Sequence, residues 1–337
     1  VRIDSSAPTR IDLAGGTFDI WPLYLFHPGA MTINAAIDLR ARCTLVARGD
    51  DAVSLTSADT GETITAASPS ALGTEVLPLV ARLVAYFGVR GVDVRTRSES
   101  PVGAGIAGSS AMNIAVAAAL ARWSGRLEHA DALLTLAMNV EAQVIGVPTG
   151  VQDYRPAFYG GVSAVELNVD GVRRVALDVD PVALGSRIVV AYTGASRNSG
   201  INNWDVMVRR IGHDPVVTSA FDGIREAAAG VRHALLAGDW AGVASHMAAE
   251  WRHRKALAPG VTTPAIDALL ARASSAGAQA GKVCGAGGGG CLVCLTPPDR
   301  KAAVAAALAE AGARVLPVAI DGQGVDVEVS HTGDARA

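Results

Sequence analysis

The stretch SPVGAGIAGSSAMNIAVAAAL, beginning at Ser100, constrains the fold of this chain more than any other. It follows the strand-like run GVDVRTRSES, and its glycines give way to two serines and an alanine-rich helical run. A strand that enters a glycine loop and leaves as a helix creates a helix N-terminus, where unpaired amides and the helix dipole favour an anion. Gly103, Gly105 and Gly108 also spell GxGxxG. Two chemistries therefore compete: dinucleotide binding with hydride transfer, and phosphoryl transfer.

The dinucleotide reading requires a strand after the helix, closed by an acidic residue about 20 residues on. Here the helix is followed by a second one, EHADALLTLAMNVEAQVIG, and Glu128 begins that helix instead of ending a strand. A second GxGxxG match, at Gly285, Gly287 and Gly290, follows a helix and precedes the strand-like GCLVCLTP. Neither match has the context that fingerprint needs. The Walker-A order GxxxxGK[ST] is missing too, yet a nucleoside triphosphate can be held without it. Successive amides of a glycine loop form an anion nest, and a serine hydroxyl at the helix start can ligate Mg²⁺. Such a scheme needs a metal carboxylate and a base. The segment NVEAQVIGVPTGVQDYRPAFYGG offers Glu141 near a helix end as an oxygen ligand, and Asp153, beyond a Pro/Gly turn, as a proton acceptor.

The chain has 337 residues, half of them hydrophobic, enough for one large domain or two ordinary ones. Its first part reads as strands in RIDLAGG, MTINAAIDLRARCTLVAR, DAVSLTSAD and ETITAAS, then a helix over ALGTEVLPLVARLVAYFG closed by Gly88. FYGGVSAVELN and RRVALDV read as a hairpin, and Pro181 and Gly185 mark a boundary before the strand SRIVVAYTG. The remainder is helical through DALLARASSAGA, then GKVCGAGGGGCLVCLTP, a helix in DRKAAVAAALAEAGA, a strand in RVLPVAI and a frayed end in SHTGDARA. Two α+β units are expected, 1–185 and 186–337.

A formal net charge of -3, with no Lys/Arg block, speaks against nucleic-acid or anionic-membrane partners. Lysine occurs only at Lys255, Lys282 and Lys301, which reads as coding bias. Cys291 and Cys294 form CxxC, but positions three apart on a strand face opposite sides. With Cys43 and Cys284 they read as buried structural thiols, which suits a reducing compartment. No apolar run reaches about 18 residues, and VRIDSSAPTRIDLAGG lacks the layout of a signal peptide. A soluble cytoplasmic protein is expected.

Three stretches, APTRIDLAGGTFD from Ala7, PVGAGIAGSSA from Pro101 and KVCGAGGGGC from Lys282, resemble in order and spacing the three motifs of the GHMP kinases, the superfamily of galactokinase, homoserine, mevalonate and phosphomevalonate kinases. Within it the chain is most similar to sugar kinases of the D-glycero-D-manno-heptose 7-phosphate kinase type, through AGG, GVQDYRPAFYGG, YTGASRNSG and the four-glycine third motif. It departs from that group in GGTFDIWPLY, where GGGTD is usual, in QDYRPA, where QDQY is usual, and in IWPLYLFHPGAM.

The resemblance implies a ribosomal-protein-S5-like N-terminal domain and a ferredoxin-like C-terminal domain with the site between them. It implies ATP and Mg²⁺ as cofactors and a small-molecule sugar or sugar phosphate as acceptor. Pro101, Gly103, Ala104, Gly105, Ile106, Ala107, Gly108, Ser109 and Ser110 match the ATP phosphate loop; a serine there, Ser110 before Ser109, would hold Mg²⁺ with Glu141. Asp153 matches the catalytic base, and Arg10 a nearby arginine whose charge would keep that carboxylate ionised. Asp19 matches the acidic residue that binds a sugar hydroxyl in galactokinase-like members, with Gly16, Thr17, Gly150, Gln152, Gly287 and Gly288 also on the acceptor side. Arg197 and Ser199 are candidates for a substrate phosphate. The alternatives are another polyol, a cyclitol or mevalonate as acceptor, and, in a different class, a non-catalytic sugar sensor. The hydroxyl phosphorylated and the oligomeric state stay open.

Overall fold

The computed structural model describes residues 1–126, 129–196 and 199–331. In the first half, β1 (Arg2–Ala14) turns back as β2 (Met31–Ala47), followed by the hairpin strands β3 (Val53–Ser57) and β4 (Thr63–Ala66), helix α1 (Pro78–Phe87) and β5 (Val92–Ser98). Three helices come next, α2 (Gly108–Ser124), α3 (Ala130–Ile145) and the short α4 (Tyr154–Tyr159), and then the hairpin β6 (Val162–Asn168) and β7 (Gly171–Ala176). The helix read from Ala71 starts only at Pro78, whose fixed φ suits the first helical position and whose missing N–H costs nothing there.

The second half opens with α5 (Pro181–Gly185) and β8 (Ile188–Tyr192), and runs through four helices, α6 (Ser199–Ile211), α7 (Pro215–Ala237), α8 (Trp240–Lys255) and α9 (Pro264–Ser275). It continues with β9 (Ala280–Val283), β10 (Cys291–Leu295), α10 (Lys301–Glu310) and β11 (Arg314–Leu316), and ends with β12 (Asp326–Ser330).

Two sheets result. The larger has eight strands, with the path β12-β1-β2-β5-β3-β4 and a branch in which β6 pairs with β2 and β7. The smaller is antiparallel in the order β11-β8-β10-β9. Counted along the chain this is fourth-first-third-second, with helices between the first two strands and between the last two, the ferredoxin-like arrangement. β12 returns to pair with β1 from Arg2↔Ser330 to Ser6↔Asp326, so the last strand described belongs to the large sheet. Its alternation of exposed and half-buried residues carries too weak an apolar signal to be read as a core strand.

Helices α1–α3 cover the large sheet, packing Leu83, Val84, Ile114 and Leu120 against Leu45, Leu55 and Val94. Alanine-rich α2 lies innermost, because methyl side chains let it sit close to β1, β2 and α3 at once. A second cluster joins the two units: Ile11, Leu13 and Ile33 meet Val190, Val293 and Met247. A third lies on the other face of the small sheet and takes in Phe18, Ile20 and Leu23 from the β1–β2 connection. All four cysteines are buried. Cys291 and Cys294 fall into different clusters on opposite faces of β10, as their spacing on a strand requires.

Candidate active site

A cleft opens where the two units meet, lined by the β1–β2 connection, the glycine loop, the segment before α4, and residues of α6, α8 and the β9–β10 turn. The glycine loop is held from below. Arg10 donates its amide to the Ile106 carbonyl (3.0 Å), and Cys291 donates its amide to the Ala104 carbonyl (2.6 Å). Arg10 Nη1 donates to the Gly105 carbonyl (2.9 Å). Three consecutive carbonyls are thus committed to β1, β10 and Arg10. Pro101, Gly103, Ala104, Gly105, Ala107, Gly108 and Ser109 line the cleft, whereas Ile106 is fully buried beneath the loop. Ala107, at φ 62°, occupies the left-handed region that a Cβ disfavours, and caps α2 without a side-chain hydrogen bond. The first-turn amides of α2 therefore have no side-chain cap, which suits an anion.

Glu141, on α3, lies beneath that helix start. Its Oε1 accepts from Ser109 Oγ (2.5 Å), and its Oε2 accepts from Ser110 Oγ (2.9 Å) and Tyr154 Oη (2.8 Å). Burial pushes this carboxyl above its usual range, against the pull of the three hydroxyls. Both serines reach it, so the choice between Ser109 and Ser110 is not forced: Ser109 faces the cleft and Ser110 is buried. Among the described residues Glu141 has no cationic partner within ion-pair distance.

Asp153 stands at the start of α4. Its Oδ1 accepts from Arg10 Nη2 (2.6 Å) and Nε (2.9 Å). Arg10 is buried, which alone would favour its neutral form, but the carboxylates of Asp153 and Asp12 outweigh this and raise its pKa. It is a permanent cation beside the carboxylate.

Asp19 lies across from these groups. Its two oxygens accept from the Gln152 amide and from Gln152 Nε2, each at 3.1 Å. An isolated antiparallel bridge, Ile20↔Gly150, holds the two segments together. Gly150 is needed here, since a Cβ on it would stand 1.8 Å from Asp19 Oδ2. Burial, then the nearby charge of Asp153, raises the Asp19 pKa to about 6.

Thr17 lines the cleft as well. Gly16 lies just behind it, where a Cβ would come within 2.4 Å of Arg254 Nη1. Gly287 packs against the backbone of Val261 and Gly288 against that of Gly260, and it is Gly285 and Ala286 of the same turn that line the cleft. Arg197 and the side chain of Ser199 lie outside the described residues.

Sequence reasoning missed a buried charge cluster under the cleft. Lys282 Nζ lies 2.9 Å from Asp12 Oδ2 and 3.0 Å from Glu250 Oε2, and Arg254 Nη1 lies 3.2 Å from Glu250 Oε1. Arg254 also donates to the Gly285 carbonyl, and the Gly285 amide donates to Asp12 Oδ1 (2.9 Å). Burial would raise the Asp12 pKa, but Lys282, Arg10 and Arg254 hold it down at about 2. With Arg10 and Asp153, three cations face three carboxylates, so the cluster is neutral. One signal could have found it: the i,i+4 spacing of Glu250 and Arg254.

An uncapped helix start, a buried carboxylate among hydroxyls and a second carboxylate anchored by an arginine surround one interdomain cleft, an arrangement suited to a small-molecule kinase. The family models for the GHMP kinases N terminal domain and the GHMP kinases C terminal match residues 75–161 and 231–314, together half of the chain, which belongs to the GHMP kinase family. It is 28% identical to the D-glycero-alpha-D-manno-heptose 7-phosphate kinase of Campylobacter jejuni, over 89% of this chain and 91% of that one. It is also 28% identical to the mevalonate kinase of Thermococcus onnurineus, over 97% and 99%. The fold matches the crystal structure of a D-glycero-D-manno-heptose 1-phosphate kinase from Bacteroides thetaiotaomicron with a TM-score of 0.79 at 24% identity, covering 98% of this chain and all of that one.

Proposed function

We propose that this protein is an ATP- and Mg²⁺-dependent kinase that transfers the γ-phosphate to a hydroxyl of a sugar or sugar phosphate of the heptose-phosphate kind. The observation that carries the reading is Asp153, fixed by Arg10 between the glycine loop on one side and the Asp19–Gln152 pair on the other. Phosphoryl transfer asks the protein for positioning and charge stabilisation. The start of α2 receives the phosphates, Asp19 and Gln152 orient the acceptor, and Asp153 takes the proton of the attacking hydroxyl as its oxygen bonds the γ-phosphorus and the bond to the β–γ bridging oxygen breaks, releasing ADP. Arg10 holds Asp153 in place for that step.

The residues around Glu141 fit Mg²⁺. They are all hard oxygen donors, and the carboxylate is buried among hydroxyls with no cation in reach among the described residues. Among the described residues no three His, Cys, Asp or Glu side chains converge. A site with one carboxylate still suits a metal that takes its other ligands from phosphates and water. Glu141 with Ser109 or Ser110 would hold it, and when bound it supplies charge neutralisation at the phosphates.

The acceptor side favours a polyhydroxylated acceptor. Asp19, Gln152 and Thr17 offer hydrogen-bonding groups to several hydroxyls. The test is Mg²⁺-dependent ADP release against heptose 7-phosphate, free hexoses, fucose, cyclitols and mevalonate. Turnover of a sugar or sugar phosphate is expected. Turnover of mevalonate alone would overturn the acceptor class, and ATP binding with no turnover of any acceptor would favour a sensor.

A further inference from the structure

We propose that His27 is a positioning residue that locks together the two walls of the acceptor side, tying the turn that carries Asp19 to helix α6, which carries Asn203. The proposal rests on the reading of that side as the acceptor's. His27 belongs to IWPLYLFHPGAM, the segment in which this chain departs from the heptose-kinase pattern. It is 3% exposed. Arg210 of α6 donates from Nε to His27 Nε2 at 2.8 Å, and His27 Nδ1 lies 3.1 Å from Asp222 Oδ1 of α7. A guanidinium can only donate, so Nε2 is the bare nitrogen and Nδ1–H donates to Asp222. The partners fix the tautomer.

The ring is equally constrained. It stands edge-on to Phe18, with centroids 5.3 Å apart, and tilted against Phe221 at the same distance. Phe18 adjoins Asp19. Arg210 also donates to the Phe26 carbonyl (3.4 Å) and lies over the Phe26 ring. Asn203, which lines the cleft, precedes Arg210 by two helical turns and so shares its face. One side chain thus joins the Asp19 turn to α6 and α7, elements nearly two hundred residues further along the chain.

The groups facing His27 keep this arrangement set at neutral pH. Burial holds the imidazole below its usual range, and the charges of Arg210 and Arg225 act in the same direction, while Asp222 opposes them. A proton on Nε2 would point at the guanidinium and break the tie.

The test compares His27→Phe, which keeps the ring stack and loses both hydrogen bonds, with His27→Gln, which offers Arg210 a carbonyl oxygen. Arg210→Met cuts the same bond from the helix side. In the free protein, amide hydrogen exchange in α6 and in residues 18–27 should quicken about tenfold in His27→Phe and Arg210→Met, and return toward wild type in His27→Gln. With a sugar that the wild type turns over, the acceptor KM should rise about tenfold while kcat and the ATP KM stay within about twofold. Unchanged exchange, or an ATP KM that rises as far as the acceptor KM, overturns the proposal. Wild-type protein that turns over no sugar marks failure of the acceptor reading instead, and exchange alone then decides the tie.

Discussion

Arg10 and Asp153 are 143 residues apart in the chain, yet Arg10 places two N–H groups on a single oxygen of Asp153, at 2.6 and 2.9 Å. Both bonds go to Oδ1, and among the described residues no other group donates to Oδ2. One oxygen is anchored and the other is left for a proton. Replacing Asp153 by Asn keeps the shape and removes the base, so kcat should fall about 10²- to 10⁴-fold with the ATP KM nearly unchanged. Steady-state kinetics over an ATP titration checks this; near-full turnover in the variant would place proton transfer elsewhere.

Gly150→Ala should act on the acceptor alone. Its Cβ has no room beside Asp19 Oδ2, so the carboxylate must leave Gln152. The loss of a charged hydrogen-bond pair predicts an acceptor KM higher by about tenfold or more. ATP-analogue binding, measured by calorimetry on the same preparation, should be unaffected. Equal loss of both would mean that the substitution disturbs the whole cleft.

Glu141→Gln retains an oxygen for the hydroxyl donors but gives up the charge. The gain in ADP affinity on adding Mg²⁺ should shrink by about tenfold or more, the scale found even for residues that only support a metal ligand. Binding titrations with and without Mg²⁺ read this directly, without turnover. An undiminished Mg²⁺ effect would remove Glu141 from the metal's surroundings.

Asp19 predicts a pH dependence of stability with a definite sign. Its pKa is raised to about 6 in the folded protein from 3.8, so the native state holds a proton that the unfolded chain has already lost. Its contribution therefore weakens as pH climbs from about 4 through about 6. Asp19→Asn removes that loss, and urea unfolding should show the variant gaining more over wild type at about pH 7.5 than at about pH 5. A gain independent of pH would contradict the assignment.

Asp12 predicts the opposite sign. Held at about 2, its contribution is complete above its unfolded value of 3.8 and is lost as pH falls toward 2. Asp12→Asn leaves Lys282 and Arg254 with less compensation in a buried site, and should cost about 3–5 kcal/mol. Thermal and denaturant unfolding at neutral pH would show it. A variant as stable as wild type would mean that Glu250 alone neutralises both cations.

What the linear chain revealed about this protein was local. The glycine loop and helix start at Ser100–Ser110, the carboxylate near the end of α3 and the aspartate beyond its Pro/Gly turn are legible because a strand, a loop and a helix write their requirements into neighbouring residues. Those signals, in the order of the three motifs, were enough for the two-unit fold and for most of the cleft.

What only the tertiary structure decided depends on contacts that have no local signature. Lys282 meets Asp12 across 270 residues, Arg210 meets His27 across 183, and β12 returns to pair with β1 at the far end of the chain. None of these residues alters its neighbours' periodicity. A buried charge or a half-apolar strand looks in isolation like its solvated counterpart, because its energy is set by the partner that replaces water. The glycines of the third motif show the same limit. The composition of GAGGGG announces a tight turn, but only packing against Val261 decides that Gly285 and Ala286, and not Gly287, face the cleft.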